Sequence, residues 1–168
     1  MKRFWILAAA YVACRLLIFS HWPWLDEDAY IALRCARNLA LSGHPVMNLG
    51  RSSWPCTSPL WVAWLAVWPT PWWAIVGSLF GELGIIGWVW RRYGWKPSCI
   101  FAAVLGLSQG TAALSNAGME MWVYVALFLW SLEGRGWAQA GLLMVRPEGL
   151  MLWWLSPRKR WWAWVAAV

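Results

Sequence analysis

Charge is scarce in this chain. Lysine, arginine, aspartate and glutamate supply only 12% of its 168 residues, about half of what an ordinary soluble domain carries, so a water-soluble globule is excluded as a starting point. Acidic residues are the rarest charged class: there are seven, three of them consecutive at Asp26-Glu27-Asp28. The four cysteines, Cys14, Cys35, Cys56 and Cys99, are isolated. With no CxxC and no His/Cys pair at ligand spacing, neither a zinc site nor a dithiol redox motif is indicated, and the cysteines read as small packing residues. A Cys35–Cys56 disulfide stays open, conditional on both facing an oxidising compartment. The formal net charge is +7, but the basic residues sit in small groups beside apolar runs and never form a stripe, which argues against a nucleic-acid partner. The chain also has neither an internal repeat nor two matched broken helices, the usual marks of a secondary transporter.

What the chain does have is apolar surface: 61% hydrophobic residues, 20 of all residues tryptophan. Indole combines an apolar body with one N–H donor and collects where hydrocarbon meets headgroup. A spanning helix needs only about 20 apolar residues, so this length holds several spans, and the expected fold is an all-α polytopic membrane protein. Met1-Lys2-Arg3 precedes an apolar run from Phe4 to about Ser20. That start is shared by signal peptides and first spans, but no convincing small-x-small cleavage site follows. Further apolar segments run from about Pro59 to Trp68, Trp72 to Trp90, Pro97 to Asn116, Met121 to Leu132, Trp137 to Val145 and Leu150 to Leu155, with another beginning at Trp161.

The basic groups Lys2-Arg3, Arg91-Arg92/Lys96, Arg135 and Arg158-Lys159-Arg160 punctuate these runs, and the positive-inside rule places them all on the cytoplasmic side. If the first span leaves the cytoplasm and Trp72 to Trp90 returns, Pro59 to Trp68 cannot cross. About ten residues reach only half the hydrocarbon thickness, so an interfacial or re-entrant helix is expected there. Pro97 to Asn116 then runs outward, Met121 to Leu132 returns, and the short runs around Arg146-Pro147-Glu148-Gly149 form a partial hairpin with its tip outside. The acidic run, Glu120, Arg146 and Glu148 therefore meet on one face. The expected organisation is one module over residues 1–168 with about 4–7 membrane segments, residues 21–57 forming the first extracytoplasmic loop.

Within that loop, a helical wheel from Asp28 to Leu41 puts Tyr30, Arg34, Arg37 and Asn38 on one arc and Ala29, Ala32, Leu33, Ala36, Leu39 and Ala40 on the other. Acidic residues at its start suit the helix dipole, and Gly43 is a stop before His44-Pro45. The simplest reading is an interfacial helix lying flat on the membrane with its arginines on lipid phosphates, its carboxylates a solvated turn with an N-cap. Thr57-Ser58-Pro59 reads as the cap of the next helix.

A further reading comes from resemblance. The stretch Leu25-Asp26-Glu27-Asp28-Ala29-Tyr30-Ile31-Ala32-Leu33-Arg34 with Ala36-Arg37-Asn38-Leu39-Ala40, then Gly43-His44-Pro45-Val46-Met47-Asn48 and Thr57-Ser58-Pro59-Leu60-Trp61, resembles the first extracytoplasmic loop of GT-C glycosyltransferases. Downstream, Ser115-Asn116-Ala117-Gly118-Met119-Glu120 is similar to the family's (S)G(M/L)E motif, and Val145-Arg146-Pro147-Glu148-Gly149-Leu150 to its (T)RPEG motif, as in bacterial arabinofuranosyl- and mannosyltransferase-like members. The four blocks occur in the family's order. The resemblance covers nearly the whole chain but only the amino-terminal module of a family whose members are considerably longer, which leaves a compact variant, a fragment and part of a split enzyme as expectations.

The resemblance implies a GT-C-like transmembrane bundle with amphipathic juxtamembrane helices in a bacterial-type inner (plasma) membrane, amino terminus cytoplasmic and site extracytoplasmic. It implies a polyprenyl-phosphate sugar donor, a glycan, lipid or protein acceptor, and transfer with inversion. In that chemistry a carboxylate takes the acceptor hydroxyl's proton as the C–O bond forms; Asp28, Glu27 and Asp26 are the candidates, the register leaving the choice among them open. Guanidinium groups stabilise the departing phosphate, for which Arg34, Arg37 and Arg146 are the candidates. Tyr30, Asn38, His44, Asn48, Glu120 and Glu148 are candidate substrate contacts. For His44 and Asn48 a turn role is the simpler reading. Glu120 and Glu148 could also help hold a divalent cation, magnesium, manganese or calcium. The alternative from another class is a non-catalytic membrane module that binds polyprenyl-phosphate lipid or assembles with a second membrane subunit. Two features read as structural: Arg15 and Glu82, charged residues within apolar spans and candidates for a mutual salt bridge, and Gly77, Gly81 and Gly84, which suit close helix packing.

Overall fold

The computed structural model describes residues 2–21, 25–50, 58–108, 110, 111, 113 and 117–151. Among these there is no strand. The helices are α1 (Lys2–His21), α2 (Glu27–Ser42), α3 (Pro59–Val67), α4 (Pro71–Tyr93), α5 (Trp95–Leu107), α6 (Met121–Leu132) and α7 (Gly136–Val145). Of these, α1 and α4 are long and apolar enough to cross a membrane; α5, α6 and α7 are apolar but shorter. Residues Leu150 to Leu155 fall mostly, and Trp161 onward wholly, outside the described residues, as do Arg158-Lys159-Arg160, Cys56 and Thr57. Cys35 is a buried, free thiol.

Helix α4 is the axis on which the rest is hung. Thr70 caps it, its hydroxyl accepting from the Trp73 N–H, with Pro71 at the first turn where a missing donor costs nothing. Its glycines make the room that their spacing suggested. A Cβ on Gly81 would strike the backbone of Trp122 and Val123 in α6, and one on Gly84 would crowd the Ala126 Cβ at 3.2 Å. The Trp130 indole then donates to the Gly84 carbonyl at 3.0 Å. Residues 81, 84 and 91 thus meet 122, 126 and 133 in rising order, so α4 and α6 run parallel, as the expected in-out-in path requires. Helix α1 runs antiparallel to α4: Phe4 packs edge-on against Trp90, and Phe19 against Trp72.

Halfway along this pair lies an ion pair removed from solvent. Arg15 donates from Nε to Glu82 Oε2 at 3.3 Å and from Nη2 to Oε1 at 3.2 Å, with the two side chains 2% and 0% exposed. Nη2 also reaches the Thr111 carbonyl at 3.2 Å, tying in the segment beyond α5. The salt bridge read from two apolar runs is therefore present. Helix α5 ends earlier than the apolar run to Asn116 suggested: Ser108 turns extended, and its hydroxyl accepts from the Thr111 N–H.

Helices α2 and α3 lie at the end of α4 that carries Pro71. The apolar arc of α2 does not face lipid; Ala32, Leu33, Cys35 and Ala36 are buried against Trp61, Val62 and Leu65 of α3 and Ala74 of α4. The wheel read the buried face correctly, apart from Ala40, which is exposed, but protein covers that face. Two tryptophans close the α3–α4 corner: their rings stack at 4.5 Å, Trp64 Nε1 donates to the Trp73 carbonyl and Trp73 Nε1 to the Trp64 carbonyl.

Breaking a buried pair by removing one member costs about 3–5 kcal/mol, whereas apolar replacement of both is often neutral. We expect Arg15→Leu to lower stability in detergent by about that amount, and Arg15→Leu with Glu82→Leu to restore most of the loss in thermal unfolding. Additive losses would show that the pair is not coupled.

Candidate functional site

At the end of the bundle beyond Pro71, residues far apart in sequence converge on Glu120. This carboxylate sits at the N-cap of α6 and is 3% exposed, yet it makes no capping bond. Its Oε1 accepts from Ser58 Oγ at 2.8 Å and from Arg146 Nε at 2.8 Å. A single oxygen thus joins the start of α3, the start of α6 and the end of α7. Ser58 was expected to cap α3; it is the N-cap residue, but its hydroxyl makes no capping bond and serves Glu120. Pro59 takes the first helical position, where a missing N–H costs nothing.

The turn that delivers Glu120 explains the glycine of the Ala117-Gly118-Met119-Glu120 block. Gly118 has φ +70°, and a Cβ there would meet Leu25 and, at 3.3 and 3.4 Å, the Cβ atoms of Ala29 and Ala74. Any other residue would be both strained and crowded. The same turn holds the start of α2: the Asp26 N–H donates to the Ala117 carbonyl at 3.1 Å, and Ser78 Oγ of α4 to the Met119 carbonyl at 3.0 Å. Ser115 and Asn116 lie outside the described residues.

The three candidate bases begin α2, next to this turn. Asp26 is the N-cap residue and half-buried, without a side-chain cap bond, while Glu27 and Asp28 are exposed in the first turn. None of the three forms an ion pair among the described residues, and the Asp26 backbone bond to Ala117 holds the start of α2 beside the turn that leads to Glu120. Glu148 is exposed in the turn after α7.

The three candidate phosphate ligands form two groups. Arg146 is engaged by Glu120. Arg34 and Arg37 line a cleft of about 360 Å³ with Tyr30, Leu33 and Pro71, and none of the described residues in its walls is a carboxylate. One N–H of each guanidinium is anchored, Arg34 Nη2 on Asn48 Oδ1 at 2.9 Å and Arg37 Nε on the Pro69 carbonyl at 3.3 Å. That fixes the side chains while leaving their other donors available for an anion. Asn48 therefore acts through Arg34. Asn38 holds the loop after α2, donating to the carbonyls of Val46 at 2.6 Å and Met47 at 3.2 Å. His44 Nδ1 lies 2.7 Å from the Ser42 carbonyl, in keeping with a turn role, and Gly43 ends α2 at φ +75° as its position suggested.

Glu120 and Glu148 do not make a fitting cation site. The Glu120 oxygen already binds a guanidinium, which would repel a divalent ion, and no group of three or more His, Cys, Asp or Glu stands at metal-holding distance among the described residues. Sequence reasoning missed the Ser58 bond, the Asn48 support of Arg34 and the contribution of Pro71 to the cleft. None of the three has a local signature.

Comparison of the chain with known protein families, curated proteins and solved structures finds no match.

A hydrogen bond to a charged group contributes about 1.5–3 kcal/mol. Ser58→Ala is expected to lower stability by roughly that amount in the native background and by much less in a Glu120→Gln, Arg146→Met background, measured as a thermal unfolding cycle. Equal losses in both backgrounds would dissociate Ser58 from the cluster.

Proposed function

We propose that this chain is a membrane glycosyltransferase module of GT-C type, moving a sugar from a polyprenyl-phosphate donor to an acceptor hydroxyl outside the cytoplasm. The observation that carries the reading is the convergence at one end of the bundle. The carboxylates at the start of α2, the Glu120–Arg146 pair and the Arg34–Arg37 cleft come from blocks spread over more than a hundred residues, and all lie beyond the same end of α4. On this proposal the chain is multi-pass in a bacterial-type inner membrane with the amino terminus cytoplasmic; what supports the multi-pass part is the parallel α4–α6 pairing beside an antiparallel α1.

In this reading Asp28, Glu27 or Asp26 removes the acceptor proton while the glycosidic bond forms and the bond from the anomeric carbon to phosphate oxygen breaks. The charge that develops on the departing polyprenyl phosphate is met by Arg34 and Arg37, held in place by Asn48 and the Pro69 carbonyl. Tyr30, on the same cleft, is placed for the sugar or phosphate. Arg146 and Glu120, bonded to each other, tie the start of α6 to the end of α7 and have a positioning role. Apolar surroundings strengthen these charge interactions relative to water.

A second reading rests on the cleft itself. Two anchored guanidinium groups without a carboxylate among them are sufficient to bind a polyprenyl phosphate without chemistry, as a non-catalytic module working with a second membrane subunit would.

Membranes carrying the chain, given a panel of labelled polyprenyl-phosphate sugars, should transfer label from one of them. Loss of the general base lowers such rates by about 10²–10⁴-fold. One of Asp28→Asn, Glu27→Gln and Asp26→Asn should show that loss with membrane insertion unchanged, and normal transfer in all three would remove the base assignment. Arg34→Gln with Arg37→Gln should abolish donor binding under either reading. Donor binding without transfer by the isolated chain, together with co-purification of a second polytopic subunit, would favour the non-catalytic one.

A further inference from the structure

The end of the bundle opposite the candidate site has the reverse charge pattern. Lys2 and Arg3 open α1, Arg91 and Arg92 close α4, Lys96 is in the first turn of α5, and Arg135 is the N-cap residue of α7. Contacts place these starts and ends at one level. The Arg3 guanidinium lies 5.4 Å from the centre of the Trp95 ring, Phe4 meets Trp90, and Arg91 Nε donates to Glu133 Oε2 at 3.1 Å. Glu133 is the one carboxylate there among the described residues, and Arg91 takes it. Lys2, Arg3, Arg92, Lys96 and Arg135 make no ion pair among the described residues.

The same level carries exposed amphipathic rings, Trp5, Tyr93, Trp95 and Trp137, and just beyond them along the bundle come exposed Ile6 and Ile100. Cations, then indole and phenol rings, then aliphatic side chains is the order in which a bilayer presents phosphate, interface and hydrocarbon. Helix α4 alone spans about 35 Å at 1.5 Å per residue, a length that carries these layers across a hydrocarbon core. A nucleic acid or a soluble acidic protein would complement the charges but leave the rings and aliphatic side chains uncovered.

We propose that this end is a docking surface for anionic phospholipid headgroups, which neutralise the unpaired cations while the surrounding aromatic side chains lie at the acyl boundary. The surface owes nothing to the chemistry at the other end of the bundle. Each juxtamembrane cation strengthens attraction to an anionic leaflet by about fivefold, and the effect falls as salt screens it.

The full chain, purified in mixed micelles containing equal amounts of phosphatidylcholine and phosphatidylglycerol, should retain phosphatidylglycerol preferentially. The preference should fall in high salt. Inorganic phosphate at the same concentration as the lipid should not displace it. Lys2→Gln, Arg3→Gln, Arg92→Gln and Lys96→Gln together should abolish the preference, and Arg34→Gln with Arg37→Gln should leave most of it. Should the fourfold variant fail to fold, Arg92→Gln with Lys96→Gln changes only exposed side chains and should cut the preference by at least tenfold. Equal retention of both lipids by the native chain, a preference that survives loss of these cations, or one that depends on Arg34 and Arg37 would each overturn the proposal.

Discussion

The bond between Glu120 and Arg146 is the constraint on which the Pro71 end of this molecule depends. A carboxylate nearly shut off from water requires partners, and closing α7 back against the start of α6 provides the charged one. The same oxygen captures Ser58, so α3 is drawn into the arrangement, and α3 in turn is the wall against which α2 buries its alanines. The α6–α7 hairpin, packed through Gly141 against Leu127, brings the Arg-Pro-Glu-Gly turn next to the Gly-Met-Glu turn, and the Glu120–Arg146 bond fixes how the two meet. The acids of α2 and the arginine cleft are thus carried on a support whose centre is electrostatic and whose flanks are apolar.

Much of the fold was legible because its determinants are periodic or local. Run length gave α1 and α4 their places and α3 its shortness, the 3.6-residue wheel gave α2 its buried face, and three glycines in α4 signalled close approach. The salt bridge between Arg15 and Glu82 was legible from cost alone, since two opposite charges in apolar runs have few other remedies. What could not be read was anything set by where a polar group finds its partner across space. Ser58 has every mark of a capping residue, and only the nearness of Glu120 redirects its hydroxyl. Likewise the wheel could say that one face of α2 is apolar but not whether lipid or α3 covers it, because both are equally apolar. The end of α5 at Ser108 illustrates a third limit: hydropathy continues past it, while the backbone yields to a side-chain hydroxyl.

The two ends of the bundle answer different physical demands. One has carboxylates beside a cleft lined with arginines, opposite charges kept apart by a helix turn so that each remains available. The other has cations with almost no acids, which suits a surface of fixed negative charge. Between them, among the described residues, the interior is mostly apolar, its buried polar groups including the Arg15–Glu82 pair, Gln139 and a few hydroxyls. Such a division concentrates polar chemistry where water or headgroups can reach it.

The sequence separation of the central ion pair bears on how the molecule is made. Arg15 and Glu82 are 67 residues apart, so during synthesis the arginine emerges before the glutamate has been added, and α1 first forms without its partner. Insertion scales put the burden of a lone arginine in such a helix at about 2.5–3.5 kcal/mol, a penalty relieved only when α4 arrives. The nascent first helix is therefore a provisional structure, able to shift along its axis or wait near the surface. Its final depth is settled by a residue that has yet to be translated.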